Sequence, residues 1–245
     1  GEPGTNDAIQ HQKDGQIQIS LIESLGIPYT ILSNNNNLED QIGNSIKLAE
    51  EQSSPFFLLV RRNSFEKSRH KVTYPKIESD MSREYAILEV IKSIENDAVI
   101  VSTTGKISRE LYESRLKQAD GSHNDFRVIG SMGHASSICL GMSISNEKRK
   151  VYCIDGDGSI IMHMGALSVI GKYGSSNFRH IVLNNFSHDS VGGQASSSDV
   201  IDFSILSRAL SYKSFYKITK KSDFNDIFTK FISSPGPSFL EIVVT

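Results

Sequence analysis

An acidic residue between glycines and a pair of amides follow two apolar stretches of the sequence. Asp157 lies in Gly156-Asp-Gly158, and Asn184-Asn185 follow the apolar run His180–Leu183. A helical pattern lies between them and is predicted to end at Gly171 and Gly174. Because the carboxyl ends of parallel strands meet at one edge of a sheet, the carboxylate and the carboxamide can come together there. Such oxygen ligands suit a Mg²⁺ ion that holds a diphosphate.

The residues around Asp157 also suit a bound anion. The backbone N–H groups of Gly156 and Gly158 can face an anion, and Ser159 opens a helix whose positive end favours phosphate. The other phosphate-binding interpretation is a dinucleotide site. Neither this motif nor Gly130-Ser-Met-Gly133 extends to the G-x-G-x-x-G pattern, so the sequence gives a dinucleotide site little support.

Strand-like and helix-like stretches alternate along the 245 residues. The predicted strands are residues 29–32, 56–60, 98–102, 126–129, 150–154, 180–183, 214–218 and 239–244. The helical patterns between them predict an α/β fold with a doubly wound, mainly parallel sheet covered by helices on both faces. The run 56–60 is apolar throughout, which is typical of a parallel strand buried on both faces.

Two domains are predicted. Residues 1–60 form a helix-strand-helix-strand series, with the first helix starting near Ile17, and this is the order expected for the final part of a doubly wound domain. Residues 61–79 are basic and aperiodic, so we interpret them as a linker, with a long surface loop inside one domain as the alternative. Residues 80–245 form the second series.

Composition excludes several classes of function. The net charge is −2 and no basic run occurs, so neither nucleic acid nor a membrane surface is an expected partner. No apolar run reaches the roughly 18 residues of a membrane span, and no signal peptide is recognisable, which favours a cytoplasmic protein. Cys139 and Cys153 lie in apolar surroundings without metal-ligand spacing, so we expect reduced core thiols rather than a disulfide.

Gly156-Asp-Gly-Ser159 followed by Asn185 resembles the thiamin diphosphate signature of the decarboxylase and acetolactate synthase superfamily. The resemblance implies a thiamin diphosphate-binding fold. It also implies that the side chains of Asp157 and Asn185 and the carbonyl of Ser187 bind Mg²⁺. In this interpretation the glycines and Ser159 hold the diphosphate.

Gly130-Ser-Met-Gly133 matches the same superfamily. The match implies that the carbonyl of Gly130 receives the 4′-amino group of the cofactor and that Met132 keeps the two cofactor rings in a bent conformation. The alternative for Met132 is ordinary core packing. Thr104 and Gly105 are expected to line the diphosphate or pyrimidine pocket, although an ordinary turn would use the same residue types.

The segment His188-Asp-Ser-Val-Gly-Gly-Gln194, with Met162–Gly165 and Gly1–Gly4, is similar to the branch of phosphonopyruvate and sulfopyruvate decarboxylases. The similarity implies a carboxy-lyase that converts phosphonopyruvate, a 2-oxo acid with an anionic head group, to phosphonoacetaldehyde and CO₂. Sulfopyruvate or an unbranched 2-oxo acid is the alternative substrate. His188 is expected to act above the thiazolium as an acid or anion-binding group; a loop histidine hydrogen-bonded to Asp189 is the alternative.

The resemblance covers nearly the whole chain but starts well inside the family's pattern. It implies that residues 1–60 are the carboxy-terminal part of a pyrimidine-binding domain, without the glutamate that protonates the pyrimidine ring, and that residues 80–245 are the diphosphate-binding domain. A homo-oligomer with its active site at a subunit interface is expected. A third interpretation is a cofactor-binding subunit or fragment that is inactive without a pyrimidine-binding partner.

Overall fold

The computed structural model describes residues 1–7, 9–33, 37–66, 77–118 and 124–245. The chain divides into two compact units, Gly1–Lys71 and Val72–Thr245. The boundary lies within the segment interpreted as a linker, residues 61–79, of which 67–76 are outside the described part. The assignment of these units to pyrimidine and diphosphate binding stays a prediction.

The first unit contains two helices and a pair of parallel strands. These elements are α1 (Ile9–Ser24), β1 (Tyr29–Leu32), α2 (Leu38–Gln52) and β2 (Phe57–Val60). Helix α1 begins earlier than the predicted start at Ile17. The Asn37 side chain caps α2 by accepting a hydrogen bond from the backbone N–H of Asp40.

Strand β2 is parallel as predicted, but it is not buried on both faces. Phe57 is 39% exposed and Val60 is 51% exposed. Among the described residues of this unit β2 has one neighbouring strand, β1, and two helices to cover it, so its terminal side chains remain accessible. A continuous apolar run therefore indicated the strand correctly but overstated its burial.

Six strands of the second unit form one parallel sheet, and two short strands pair outside it. In chain order they are β3 (Val99–Ser102), β4 (Asn124–Arg127), β5 (Val151–Gly156), β6 (Phe178–Asn184), β7 (Ser187–His188), β8 (Gln194–Ala195), β9 (Ser214–Ile218) and β10 (Ser238–Val243). The sheet order is β4-β3-β5-β6-β10-β9, with every neighbouring pair parallel. Strands β7 and β8 pair with each other in antiparallel fashion.

Helices cover both faces of this sheet, as the doubly wound fold requires. They are α3 (Arg83–Ser93), α4 (Lys106–Leu116), α5 (Ala135–Ser145), α6 (Asp157–Met162), α7 (Ala166–Tyr173), α8 (Phe203–Ala209) and α9 (Phe224–Ser233). On one face Ile87, Leu111 and Phe228 bring α3, α4 and α9 into a single core. On the other face Cys139, Ile170 and Phe203 anchor α5, α7 and α8. No helix in the described part of the chain combines the length and apolar character of a membrane span.

The order of the strands creates a crevice at one edge of the sheet. Strand β4 lies on one side of β3 and β5 lies on the other, so the direction of winding reverses between β3 and β5. In open α/β sheets ligands bind outside the carboxyl ends of the strands at such a reversal. The segments that follow β3 and β5, residues 103–105 and 156–159, therefore lie where a ligand is expected.

Other element boundaries in the second unit also differ from the prediction. Strand β4 runs from Asn124 to Arg127 rather than over residues 126–129. The helix predicted after Asp157 is two helices, because His163 leaves the helical conformation (φ −127°, ψ 43°). Helix α8 begins after Asp202, whose side chain caps it by accepting hydrogen bonds from the N–H groups of Ser204 and Ile205.

Gly174 caps the end of α7 as predicted, but Gly171 does not end the helix and has another role. Helix α7 continues through it to Tyr173. A Cβ atom at Gly171 would lie 1.6 Å from the carbonyl oxygen of Leu210. Glycine is therefore required because the backbone that follows α8 contacts the backbone of α7 at this point.

Replacement of this glycine tests the contact. Gly171→Ala should lower the free energy of unfolding by about 1–3 kcal/mol through overpacking, against the intrinsic helix preference of alanine of about 1 kcal/mol. Gly141→Ala is the matched control in α5, because its Cβ would meet nothing within 4 Å. The control should be stabilised by about 0.5–1 kcal/mol. Urea unfolding monitored by circular dichroism measures both, and changes of the same sign would contradict the contact.

Candidate cofactor site

A cleft lies at the carboxyl ends of β3, β5 and β6. Nine of the sequence-predicted site residues line it: Thr104, Met132, Gly156, Asp157, Gly158, Ser159, Asn185, Ser187 and His188. Gly105 and Gly130 do not line this cleft. The cleft is also lined by Asp189 and Ser190 of the predicted His188–Gln194 segment. Further lining residues that the motifs did not indicate are Arg83, Thr103, Lys106, Ile107 and Leu183.

The two principal candidate metal ligands leave the sheet side by side. Strands β5 and β6 pair with Gly156 opposite Leu183, so Asp157 and Asn185 follow at neighbouring strand ends. Asp157 is 2% exposed, which is unusual for a carboxylate without a cation or several hydrogen-bond donors. The predicted convergence of a carboxylate and a carboxamide at one sheet edge is thus what the fold produces.

The hydrogen bonds of Asp157 involve only one of its two carboxylate oxygens. Ser196 Oγ donates to Oδ2, and Ser198 Oγ lies 2.9 Å from the same atom. Among the described residues none donates a hydrogen bond to Oδ1. A buried carboxylate with one uncommitted oxygen, next to amide and main-chain carbonyl oxygens, is a donor set that fits Mg²⁺.

A tight turn connects Asn185 to Ser187. Asn185 Oδ1 accepts a hydrogen bond of 3.3 Å from the N–H of Ser187. Phe186 between them has φ 56°, a left-handed conformation that is uncommon for an aromatic residue. The carbonyl of Phe186 accepts from the N–H of Ser196 at 2.9 Å, which holds the turn against the chain that returns after β8.

Ser159 connects three segments of the site. Its hydroxyl lies 2.9 Å from Thr103 Oγ1, after β3, and accepts a hydrogen bond of 3.0 Å from the N–H of Gly133, before α5. This side chain is therefore engaged within the protein. Its contribution to anion binding, if the prediction for Ser159 holds, comes from the backbone at the start of α6.

Gly158 is in close contact with two other predicted residues. A Cβ at Gly158 would lie 2.6 Å from the ring of His188 and 3.3 Å from Cε of Met132. Ser131 and Gly133, on either side of Met132, have φ of 50° and 87°. These left-handed positions turn the chain so that Met132 lies beside His188 over the Gly158 backbone.

The turn after β3 contacts the loop that contains His188. Gly105 has φ 92°, and a Cβ there would lie 2.5 Å from Ser190 Oγ. Ser190 Oγ accepts a hydrogen bond from the N–H of Lys106, and Thr104 Oγ1 donates to the carbonyl of Ile129. Gly105 therefore supports the wall of the cleft without lining it.

An ionic cluster that the motifs did not indicate fixes the same loop. Asp189 Oδ2 lies 2.7 Å from Lys106 Nζ and 3.2 Å from a guanidinium nitrogen of Arg83. Arg83 also forms two hydrogen bonds, of 2.7 and 2.6 Å, with Glu110. Lys106 lowers the pKa of Asp189, and Arg83 adds to this, although partial burial opposes them. Asp189 thus pairs with cations, and among the described residues His188 forms no hydrogen bond with it.

A buried histidine and aspartate lie behind the site. His180 Nδ1 is 2.9 Å from the Tyr212 hydroxyl, and His180 Nε2 is 3.7 Å from Asp155 Oδ2. Burial by itself lowers the pKa of His180, but Cys153 and Asp155 raise it to about 9. Asp155 Oδ1 accepts from the N–H of Gly156, so the pair supports the strand end that leads to Asp157. Cys139 and Cys153 are buried free thiols, as predicted.

The raised pKa of His180 makes stability depend on pH. Because the folded value of about 9 exceeds the ordinary 6.5, the contribution is complete below pH 6.5 and is lost as pH rises through 9. The wild type should lose up to about 1.4 kcal/mol per pH unit in this window, relative to the double variant Asp155→Asn/His180→Gln. Urea unfolding at pH 6, 7, 8 and 9 measures the difference. A constant difference would show that His180 is neutral in the folded protein.

Comparison with known families agrees with this geometry. Residues 103–242, more than half of the chain, match the family model described as thiamine pyrophosphate enzyme, C-terminal TPP binding domain. The chain therefore belongs to the thiamine pyrophosphate-dependent enzymes, and the matched region includes every predicted site residue.

Phosphonopyruvate and sulfopyruvate decarboxylases are among the curated relatives, which also include acetolactate synthases. Phosphonopyruvate decarboxylase from Streptomyces viridochromogenes is 26% identical over 259 residues, which cover 100% of this chain and 64% of the relative. Sulfopyruvate decarboxylase subunit beta from Methanothermobacter thermautotrophicus is 34% identical over 157 residues, which cover 64% of this chain and 79% of that subunit. The sequence resemblance to this branch is confirmed. The chain spans less than two thirds of the phosphonopyruvate decarboxylases that it matches.

Solved structures share the fold at low sequence identity. A 2-oxoglutarate:ferredoxin oxidoreductase from Magnetococcus marinus superposes with a TM-score of 0.54 and 15% identity, over 72% of this chain and 65% of that chain. A thiamin diphosphate-dependent enzyme from Mycobacterium smegmatis, described as putative, has a TM-score of 0.55 and 15% identity, over 76% of this chain and 37% of its own. The doubly wound, thiamin diphosphate-binding fold is confirmed.

Proposed function

We propose that this chain provides the thiamin diphosphate and Mg²⁺ site of a decarboxylase that converts phosphonopyruvate to phosphonoacetaldehyde and CO₂. The observation that carries the proposal is the emergence of Asp157 and Asn185 at adjacent strand ends, at the reversal of the sheet, in a chain related to phosphonopyruvate decarboxylases. A tight turn after Asn185 brings His188 to the same cleft.

The chain's own residues hold the cation and the diphosphate. Asp157 through Oδ1, Asn185 through its amide oxygen and Ser187 through its carbonyl are the proposed Mg²⁺ ligands. The backbone of Gly156 and Gly158 faces the diphosphate. Thr104 and Gly105 shape the wall opposite them.

Other residues orient the cofactor and the substrate. When bound, thiamin diphosphate supplies a thiazolium that accepts the electron pair left by CO₂. Met132, which lies near the Gly158 backbone, would position the two cofactor rings, and the carbonyl of Gly130 would receive the 4′-amino group. His188, beside Met132, holds or donates a proton at the reacting carbon.

An anionic head group requires cations near the cleft. Arg83 and Lys106 line it and are the candidates within the described part of the chain, although Glu110 and Asp189 already pair with them. Sulfopyruvate is the second candidate substrate, because sulfopyruvate decarboxylase subunits are also relatives. A sulfonate and a phosphonate differ in charge, so competition between them is informative.

Assembly is part of the proposal. The first unit, Gly1–Lys71, is proposed to be the carboxy-terminal part of a pyrimidine-binding domain. The complete site then forms between subunits of a homo-oligomer, where a glutamate of a pyrimidine-binding domain protonates the pyrimidine ring. The chain is expected to bind cofactor alone but to turn over only with such a domain.

Cofactor binding tests the metal site. Asp157→Asn should weaken Mg²⁺-dependent binding of thiamin diphosphate at least about tenfold, since loss of even an outer partner of a metal has this effect. Asp226→Asn, at an exposed position in α9, is the matched control and should bind as the wild type does. Isothermal titration with and without Mg²⁺ gives the affinities. Equal binding by Asp157→Asn and the control would exclude the proposed ligand.

Turnover tests the substrate and the assembly. The 245-residue chain alone should release no CO₂ from phosphonopyruvate, whereas the same chain supplemented with a pyrimidine-binding domain should release it. In the active assembly kcat/KM for phosphonopyruvate should exceed that for sulfopyruvate. Activity of the isolated chain would contradict the proposed assembly. An equal or higher kcat/KM for sulfopyruvate would exclude phosphonopyruvate as the preferred substrate.

A further inference from the structure

Two buried serines contact Asp157, the proposed metal ligand, and neither belongs to a motif identified in the sequence. Ser196 and Ser198 are 4% and 2% exposed and lie where the chain enters the 3₁₀ turn Ser197–Val200. Both hydroxyls reach Oδ2 of Asp157, and they lie 2.8 Å from each other. The family motifs assign no function to either serine.

The backbone determines how Ser196 is oriented. Its Oγ accepts a hydrogen bond from the N–H of Ser198 as the cap of the 3₁₀ turn. Because that lone pair is occupied, the hydroxyl proton is directed toward Asp157. A main-chain hydrogen bond from Ser196 to the carbonyl of Phe186 fixes the position of the serine relative to the Asn185 turn.

Ser198 bridges the two halves of the metal site. Its Oγ lies 2.9 Å from Asp157 Oδ2 and 3.0 Å from Asn184 Oδ1, and both are acceptors. Asn184 Nδ2 donates to Glu241 at 2.9 Å, which directs the amide oxygen toward Ser198. Lys217 pairs with the other oxygen of Glu241 at 3.0 Å. The hydroxyl has one proton to donate, and Asn184 Oδ1 also accepts from the N–H of Phe186 at 3.1 Å, so the proton of Ser198 is available to Asp157 Oδ2.

We propose that Ser196 and Ser198 are positioning residues that restrict Asp157 to monodentate coordination and thereby favour Mg²⁺ over Ca²⁺. With Oδ2 occupied by hydroxyls, only Oδ1 remains for the cation. Mg²⁺ requires near-octahedral geometry with short bonds, whereas Ca²⁺ accepts bidentate carboxylates and higher coordination numbers. The inference rests on the proposed function, because it concerns the same cation.

The hydrogen bonds from the two serines to Asp157 are strong enough to influence cation binding. A hydrogen bond to a charged group contributes about 1.5–3 kcal/mol, and its removal leaves a buried carboxylate poorly satisfied. Partners of metal ligands typically change metal affinity 10–100-fold when they are replaced. Removal of the serines frees Oδ2, so the carboxylate can rotate and use both oxygens.

Cation selectivity tests the proposal. Thiamin diphosphate binding to the wild type, Ser198→Ala and Ser196→Ala/Ser198→Ala is titrated calorimetrically at increasing Mg²⁺ or Ca²⁺. We expect the Mg²⁺ affinity to fall at least about tenfold and the Mg²⁺ to Ca²⁺ affinity ratio to fall at least about fivefold in the double variant. Ser207→Ala is the matched control, since Ser207 is a buried serine that donates to Ser204 and does not contact Asp157.

Two further measurements separate positioning from folding. Ser196→Thr and Ser198→Thr keep a hydroxyl, and at least one of them should retain the wild-type ratio of Mg²⁺ to Ca²⁺ affinity. Thermal unfolding measures the stability of every variant. An unchanged ratio in folded alanine variants, while the wild type binds cofactor with Mg²⁺, overturns the positioning role and leaves the proposed function intact. If thiamin diphosphate binding by the wild type does not depend on a cation, both the positioning role and the proposed function are excluded.

Discussion

The parallel pairing of β5 with β6 is the constraint on which the site depends. Gly156 lies opposite Leu183, and neighbouring strands are about 4.8 Å apart, so the carboxylate of Asp157 and the amide of Asn185 originate at adjacent points. Both strands are buried along nearly their whole length. Apolar contacts on the two faces hold the register, because a slip by one residue would exchange the side chains between faces. The geometry of the cleft is thus a consequence of core packing.

Polar contacts then fix the chain that leaves β6. The ion pairs of Asp189 with Lys106 and Arg83 are partly exposed, and such pairs contribute about 0–1 kcal/mol each. The hydroxyls on Asp157 are buried, and hydrogen bonds to a charged group contribute about 1.5–3 kcal/mol. The serine contacts are therefore the stronger interactions around Asp157, while the ion pairs mainly select the position of the His188 loop.

Short-range patterns predicted the fold and the centre of the site, whereas contacts distant in sequence could not be read from spacing. Gly156–Ser159 and Asn185 belong to one strand-helix-strand unit, so their convergence follows from local order. Arg83 and Asp189 are 106 positions apart, and Ser198 and Asp157 are 41 apart. Gly171 shows a different limit: a glycine that permits backbone contact has the same sequence signal as one that ends a helix.

Asn184 and Asn185 are consecutive amides at the end of β6, yet they have different surroundings. Alternation sends Asn184 into the interior, where it joins Ser198 to Glu241, and sends Asn185 to the cleft. The two positions are chemically identical but not interchangeable. Replacement of Asn185 would alter the lining of the cleft, whereas replacement of Asn184 would remove its buried hydrogen bonds. The same substitution would therefore affect the folded core at one position and the cleft at the other.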